Sequence, residues 1–196
     1  MRVIAGVHKG RSLKAVPGKD TRPTSDKVKE AVFHKMGPFF TGGIGLDLFA
    51  GSGSLGIEAL SRGIEKMICI DQSKQAIKTI RQNIRDLKLD QQCDVFRNDA
   101  FRALEILQHK KTYVDLVLMD PPYDKINYQQ LLEKLVDADI VKSDGLIYIE
   151  MRADTNINTA SLGYDLIFER AYNKTTKTMI LRKGTSFSSK CNFDDV

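Results

Sequence analysis

Apolar positions recur along this chain with two different periods, and the switching between them predicts its architecture. From residue 44 onward, short apolar runs take turns with longer segments in which apolar residues return every three or four positions. Residues 44–49, 66–70, 94–97, 114–119 and 145–150 predict strands, and residues 54–62, 75–88, 100–108 and 128–137 predict helices. The helix over 75–88 has the clearest stripe, with Ala76, Ile77, Ile80, Ile84 and Leu87 on one face. The run 114–119 is apolar almost throughout, as a strand covered on both faces must be. Two more strands, 165–172 and 177–182, are separated only by a turn at 173–176 and are therefore expected to be antiparallel. Alternating β and α units imply an α/β fold, with helices on both faces of a mostly parallel sheet of seven strands ending in that hairpin.

The first 40 residues follow a different plan. Two short strands are expected near 2–5 and 12–16, joined by a turn containing Gly6 and Gly10 and stopped by Pro17-Gly18. Pro23-Thr24-Ser25-Asp26 reads as a helix start, Val28, Ala31, Val32 and Met36 follow at helical spacing, and Gly37-Pro38 ends the segment. The expected division is an extension over 1–40, a body over 41–183, and a polar tail over 184–196 without periodicity, expected to be disordered.

Composition changes this picture in one respect. With 196 residues, 42% apolar and 28% charged, the chain suits one globular domain with a small extension. No run of 18 apolar residues suggests a membrane span, and the N-terminus lacks the features of a secretory signal, so a cytoplasmic protein is expected. Cys69, Cys93 and Cys191 lie far apart, with no metal-ligand spacing, so no metal site is expected. The charge is more telling. Residues 1–40 hold nine Lys/Arg against three Asp/Glu, whereas the remainder holds 21 against 22. A basic segment on a nearly neutral body is the electrostatic footprint of a polyanion-binding surface, although a solvated arm has the same composition.

Candidate chemistry sits where strands end. Asp47-Leu48-Phe49-Ala50-Gly51-Ser52-Gly53-Ser54-Leu55-Gly56 links the first body strand to the first body helix, and Asp71 ends the next strand. Gly51, Gly53, Gly56 and Asp71 satisfy the dinucleotide fingerprint, in which glycines admit a close ligand and the acid binds ribose hydroxyls. Asp47 argues against a dinucleotide, because its carboxylate would face a pyrophosphate. S-adenosylmethionine carries a sulfonium and an ammonium and no phosphate, and suits that acid. Local backbone capping remains open for Asp47, and a helix N-cap role for Asp71. Asp99, at the end of the third strand, either caps the following helix or accepts a hydrogen bond from the adenine amino group.

Asp120-Pro121-Pro122-Tyr123 follows the fourth strand, at the sheet edge where ligands of open α/β folds bind. Two prolines remove two N–H donors and stiffen the turn, leaving the Asp120 carboxylate and the Pro121 carbonyl as fixed acceptors. Such acceptors suit an exocyclic amine, whose lone pair is otherwise delocalised into its ring. Gripping its hydrogens frees the lone pair for in-line methyl transfer and stabilises the charge growing on nitrogen. Tyr123 offers a face for base stacking. No nucleophilic cysteine is required, and His8, His34 and His109 have no partner constellation.

The string Asp47-Leu48-Phe49-Ala50-Gly51-Ser52-Gly53 with Asp120-Pro121-Pro122-Tyr123 resembles the Rossmann-like class I amino-methyltransferases. Arg2-Val3-Ile4-Ala5-Gly6, Gly10-Arg11 and Thr21-Arg22-Pro23-Thr24-Ser25-Asp26-Lys27-Val28-Lys29-Glu30-Ala31-Val32-Phe33 narrow the resemblance to the RsmD family of bacterial 16S rRNA guanine-N2 methyltransferases, over roughly residues 1–183. It implies S-adenosylmethionine as cofactor and guanine N2 of 16S rRNA, in a partly assembled small subunit, as acceptor. By position, Asp47, Phe49, Ala50, Gly51, Ser52, Gly53, Asp71, Gln72, Asp99 and Ala100 would line the cofactor, and Asp120 to Tyr123 would hold the guanine. Arg2, Lys9, Arg11, Lys14, Lys19 and Arg22 would hold RNA backbone while the base turns into the pocket, or Arg22-Pro23-Thr24 would fold over the cofactor. Arginines usual in the family are lysines at 27 and 29, which keep the charge but lose bidentate phosphate contacts. A monomer is expected. Three rival readings are a DNA adenine or cytosine amino-methyltransferase, an NAD-dependent reductase, and a non-catalytic RNA-binding assembly factor.

Overall fold

The computed structural model describes residues 1–18, 26–122 and 126–184. Seven strands form one sheet in the order β3-β2-β1-β4-β5-β7-β6. They are β1 (Ile44–Asp47), β2 (Lys66–Asp71), β3 (Cys93–Arg97), β4 (Val114–Met119), β5 (Val141–Met151), β6 (Tyr164–Ala171) and β7 (Lys177–Lys183). The first five run parallel, and β7 pairs antiparallel with both β5 and β6. Helices α1 (Asp26–Met36), α2 (Ser54–Ser61), α3 (Lys74–Leu87), α4 (Ala100–His109) and α5 (Tyr128–Ala138) connect or cover them. The expected mixed sheet of seven strands with a terminal hairpin is thus present.

Two apolar clusters lie on opposite sides of the sheet. One joins β4 residues Val117 and Met119 to Leu104 of α4 and Leu131 and Leu135 of α5. The other joins Leu116 and Leu118, on the alternate pleats of β4, to Val32 and Phe33 of α1, Ile57 of α2 and Ile80 of α3. Val3 and Leu13 belong to this second cluster, so the N-terminal segment shares the core of the body. Helix starts follow local capping. Ser73, Asp99 and Asn127 accept N–H bonds from the first turns of α3, α4 and α5.

The structure departs from sequence expectation in three places. The strands expected at 2–5 and 12–16 reduce to one antiparallel bridge between Arg2 and Ser12. The Ile4 and Ala5 amides donate to the Glu58 carboxylate at 2.8 and 3.0 Å, and the Lys14 amide to Asn83 Oδ1 at 2.9 Å. Backbone groups that would extend a ladder are therefore committed to side chains of α2 and α3. Second, β5 begins at Val141, four residues early, because its pairing with β4 shifts register between Val114 and Leu116. Third, β1 ends at Asp47, where the Leu48 amide reaches Leu118 and the Ala50 amide reaches Ile70 as the chain enters the glycine loop. The expected tail lies almost wholly outside the described residues, as do Lys19, Arg22, Pro23, Thr24, Tyr123 and Cys191.

Candidate active site

Strand order reverses at β1, whose neighbours are β2 and β4, so the connections leave in opposite directions and open a crevice above the carboxyl ends of these strands. Asp47, Asp71 and Asp120 stand at those ends, on β1, on β2 and just after β4. The connection from β1 to α2 forms a tight loop in which Gly51 and Gly53 adopt φ of 55° and 81°. Gly56 serves close packing instead. A Cβ there would come within 3.2 Å of Cys69 Sγ and 3.4 Å of the Asp47 carboxylate.

Asp71 ties the loop to the sheet. Its Oδ2 accepts the Gly51 amide at 2.9 Å and its Oδ1 the Ser73 amide at 2.7 Å. Ser73, not Asp71, is the N-cap of α3. Asp99 fills the capping role, with Oδ1 accepting from the Phe101 and Arg102 amides, while Oδ2 accepts from the Gln72 side-chain amide. An adenine amino group directed at Asp99 must therefore displace or share with Gln72. Ala100 is buried at the start of α4, and Phe49 is half-buried beside Ala50 in the loop.

Asp47 differs from all of these. It is 1% exposed, and neither carboxylate oxygen has a hydrogen-bond partner. Burial pushes its pKa up to about 7; the Phe49 and Gly56 amides pull it back without reaching hydrogen-bond geometry, and Asp71 adds repulsion. The residue lies beneath the glycine loop instead of on its open face, and it is not a backbone cap. An orphaned buried carboxylate against a glycine cradle fits a cationic, phosphate-free ligand and disfavours a pyrophosphate. The residues present thus fit S-adenosylmethionine.

After β4, Asp120 is half-buried, Pro121 buried and Pro122 exposed. Of the expected RNA contacts, Arg2 pairs with Asp26 at 2.9 Å and Lys14 with Asp86 at 3.0 Å, while Arg11 donates to the Asp86 carbonyl. Lys9 is exposed. Such surface pairs contribute little and release readily to phosphates.

The structure also shows a brace that sequence reasoning missed. Glu58, fully buried on α2, accepts from Ile4, Ala5, Arg62 and Lys29. Lys29 also donates to the Arg2 carbonyl at 2.7 Å and to Ser54 Oγ at 3.1 Å, so it is an internal strut with no access to phosphate. Buried Asn83 on α3 bonds both Lys14 and the Ser52 carbonyl, fastening the N-terminal segment to the glycine loop. A polar residue between Ile80 and Ile84, and a Glu–Arg pair at i,i+4 in an otherwise apolar helix, were the available signals.

Sheet order, glycine loop and carboxylates at the strand ends define a Rossmann-like, S-adenosylmethionine-dependent methyltransferase. The chain belongs to the family described as conserved hypothetical protein 95, whose model matches residues 1–181; this is the RsmD family. It is 46% identical to the Bacillus subtilis protein YlbH over 170 residues, covering 87% of this chain and 91% of that one. It is 34% identical to ribosomal RNA small subunit methyltransferase D of Haemophilus influenzae, covering 81% and 82%. The solved structure of yhhF from Escherichia coli matches with a TM-score of 0.79 at 29% identity, covering 94% and 99%.

Proposed function

We propose that the protein methylates the exocyclic N2 amino group of a guanine in 16S rRNA, within the small ribosomal subunit or its assembly intermediate, acting as a cytoplasmic monomer. The observation that carries this reading is the Asp120-Pro121-Pro122 turn at the carboxyl end of β4, one strand away from the glycine loop after β1. The name of the Haemophilus relative supports the small-subunit rRNA as substrate.

S-adenosylmethionine, when bound, supplies an electrophilic methyl group on a sulfonium. Around it, Asp47 provides a buried countercharge, the backbone of Gly51, Ser52 and Gly53 a close cradle, Asp71 and Gln72 acceptors for ribose hydroxyls, and Asp99 and Ala100 the wall for the base. Asp120 and the Pro121 carbonyl accept the two hydrogens of the guanine amino group. That grip turns the nitrogen lone pair out of the ring system and stabilises the positive charge that grows there. Tyr123 supplies a stacking face for the base.

The test is transfer of labelled methyl to small subunits from cells lacking the protein, beside naked rRNA and duplex DNA, followed by nucleoside analysis. N2-methylguanosine from the subunits is expected. Label found only in DNA as N6-methyladenine would overturn the substrate. Cofactor binding without transfer to any acceptor would leave an RNA-binding assembly factor.

A further inference from the structure

Segment totals place all excess positive charge in the first 40 residues, but the folded chain carries a second concentration. Lys74, Lys78, Arg81, Arg85 and Lys88 recur at spacings of four and three along α3 and its C-cap, so they share one face. All five are exposed, and among the described residues none has an ion-pair partner. The one acid of the helix, Asp86, forms its ion pair with Lys14 of the N-terminal segment, although Arg85 also lies within electrostatic reach of it. The neutral total for the body conceals this stripe because it averages five cations against one acid over residues 74–88 with acids spread through the rest of residues 41–196.

We propose that this face of α3 is a second RNA-binding surface, taking the sugar–phosphate backbone of rRNA outside the target nucleotide. The proposal rests on the rRNA reading above. Fourteen residues of helical rise give a track of about 21 Å, with neighbouring cations roughly 5–6 Å apart, a rigid ladder suited to successive phosphates. A straight row of cations reads backbone and not base edges, so it positions the substrate without specifying sequence. The track begins at Lys74, three residues after Asp71, and so starts at the rim of the cofactor crevice. From there it descends along the flank by β3, the edge strand, three strand spacings or about 14 Å from β4 and the acceptor turn. A substrate of ribosomal size reaches both places at once.

The flank is shaped as well as charged. A shallow groove of about 330 Å³ separates α3 from β3, with Arg81 and Arg85 on one wall and Val95 and Phe96 on the other. Arg81 donates to the Val95 carbonyl across it at 3.3 Å, and Phe96 is 51% exposed. Two acids also line the groove: Asp94 is paired with Lys66 at 2.9 Å, and exposed Asp90 lies at its α3 end, leaving Arg81 and Arg85 in excess only together with the rest of the stripe. An exposed aromatic ring beside two arginines adds a stacking surface to the phosphate track.

The test compares the unaltered protein with Lys78→Gln/Arg85→Gln/Lys88→Gln, and with a charge-matched control, Lys110→Gln/Lys111→Gln/Lys174→Gln, whose positions are exposed elsewhere. Affinity for small subunits is measured across a salt series, with methyl transfer and self-association followed in parallel. The α3 variant is expected to lose at least tenfold in affinity at near-physiological salt and to flatten the log affinity–log salt slope by about 2 to 3, at 0.7–0.9 per phosphate contact. Transfer at saturating subunit and affinity for S-adenosylmethionine are expected to stay unchanged, as is the control. An unaltered slope, an equal loss in the control, or altered self-association without altered RNA affinity would overturn the proposal while leaving the rRNA reading intact. If the unaltered protein neither binds nor methylates subunits, both fail together.

Discussion

Two buried carboxylates eleven residues apart meet opposite fates in this molecule. Glu58, on α2, is saturated by two backbone amides, Lys29 and Arg62, and joins the N-terminal segment, α1 and α2 into one unit. Asp47, beneath the glycine loop, is equally buried but has no hydrogen-bond partner, and its pKa rises to about 7. Folding stability asks for the first arrangement and opposes the second. The difference teaches that completeness of pairing separates a structural acid from one whose partner arrives with a ligand.

The sharpest attack on this comparison is Glu58→Gln. It leaves Lys29 and Arg62 buried without a countercharge and should lower unfolding free energy by about 3–5 kcal/mol in denaturant titrations. A loss under about 1 kcal/mol, the range of a surface pair, would show that the cluster is not structural. Asp120→Asn comes next. Methyl transfer should fall about 100- to 1,000-fold with S-adenosylmethionine affinity intact, because the removed acceptor acts on the charge developing at the amine. Near-normal turnover would move the chemistry away from Asp120.

Asp47→Asn should behave as the mirror image of Glu58→Gln. Cofactor affinity should weaken about 10- to 100-fold through loss of the countercharge, yet stability should hold or rise. The sign follows from linkage. A carboxyl whose folded pKa lies near 7, against 3.8 unfolded, keeps its proton in the folded state, so its contribution becomes unfavourable as pH rises from about 4 to about 7. Thermal midpoints of the variant should match the unaltered protein near pH 4 and exceed it at pH 8; a lower midpoint at pH 8 would contradict the unpaired state. The smallest effect belongs to Ser61→Ala at the end of α2. The hydroxyl donates to the Ala5 carbonyl at 2.6 Å and accepts from the His8 amide at 3.0 Å. Its loss should cost about 0.5–1.5 kcal/mol, read from the denaturation midpoint.

The body was legible because its strands and helices carry uninterrupted periodic stripes, as in 114–119 and 75–88. The glycine loop and the Asp120-Pro121-Pro122 turn were legible because special backbone requirements select special residues. What escaped were contacts made between distant segments. Nothing near Glu58 reveals that Ile4 and Ala5 will donate to it, and the same contacts shortened the N-terminal strands. Asp47 was recognised as unsuited to a pyrophosphate, but its complete burial depends on how Gly56 lets α2 settle against β1 and β2. The cations of α3 are in plain view, five against one acid over residues 74–88, yet a total over residues 41–196 averages them with acids of other segments; what the sequence alone does not show is that they share one exposed face.

The most direct test of the reserved-acid account is calorimetric. S-adenosylmethionine is titrated into the protein at pH 6, in two buffers of different ionisation enthalpy. At that pH Asp47 is largely protonated in the free protein, and a cation placed beside it should expel the proton. The account predicts net proton release on binding by the unaltered protein and none by Asp47→Asn. Equal proton release from both proteins, or none from either, would contradict it.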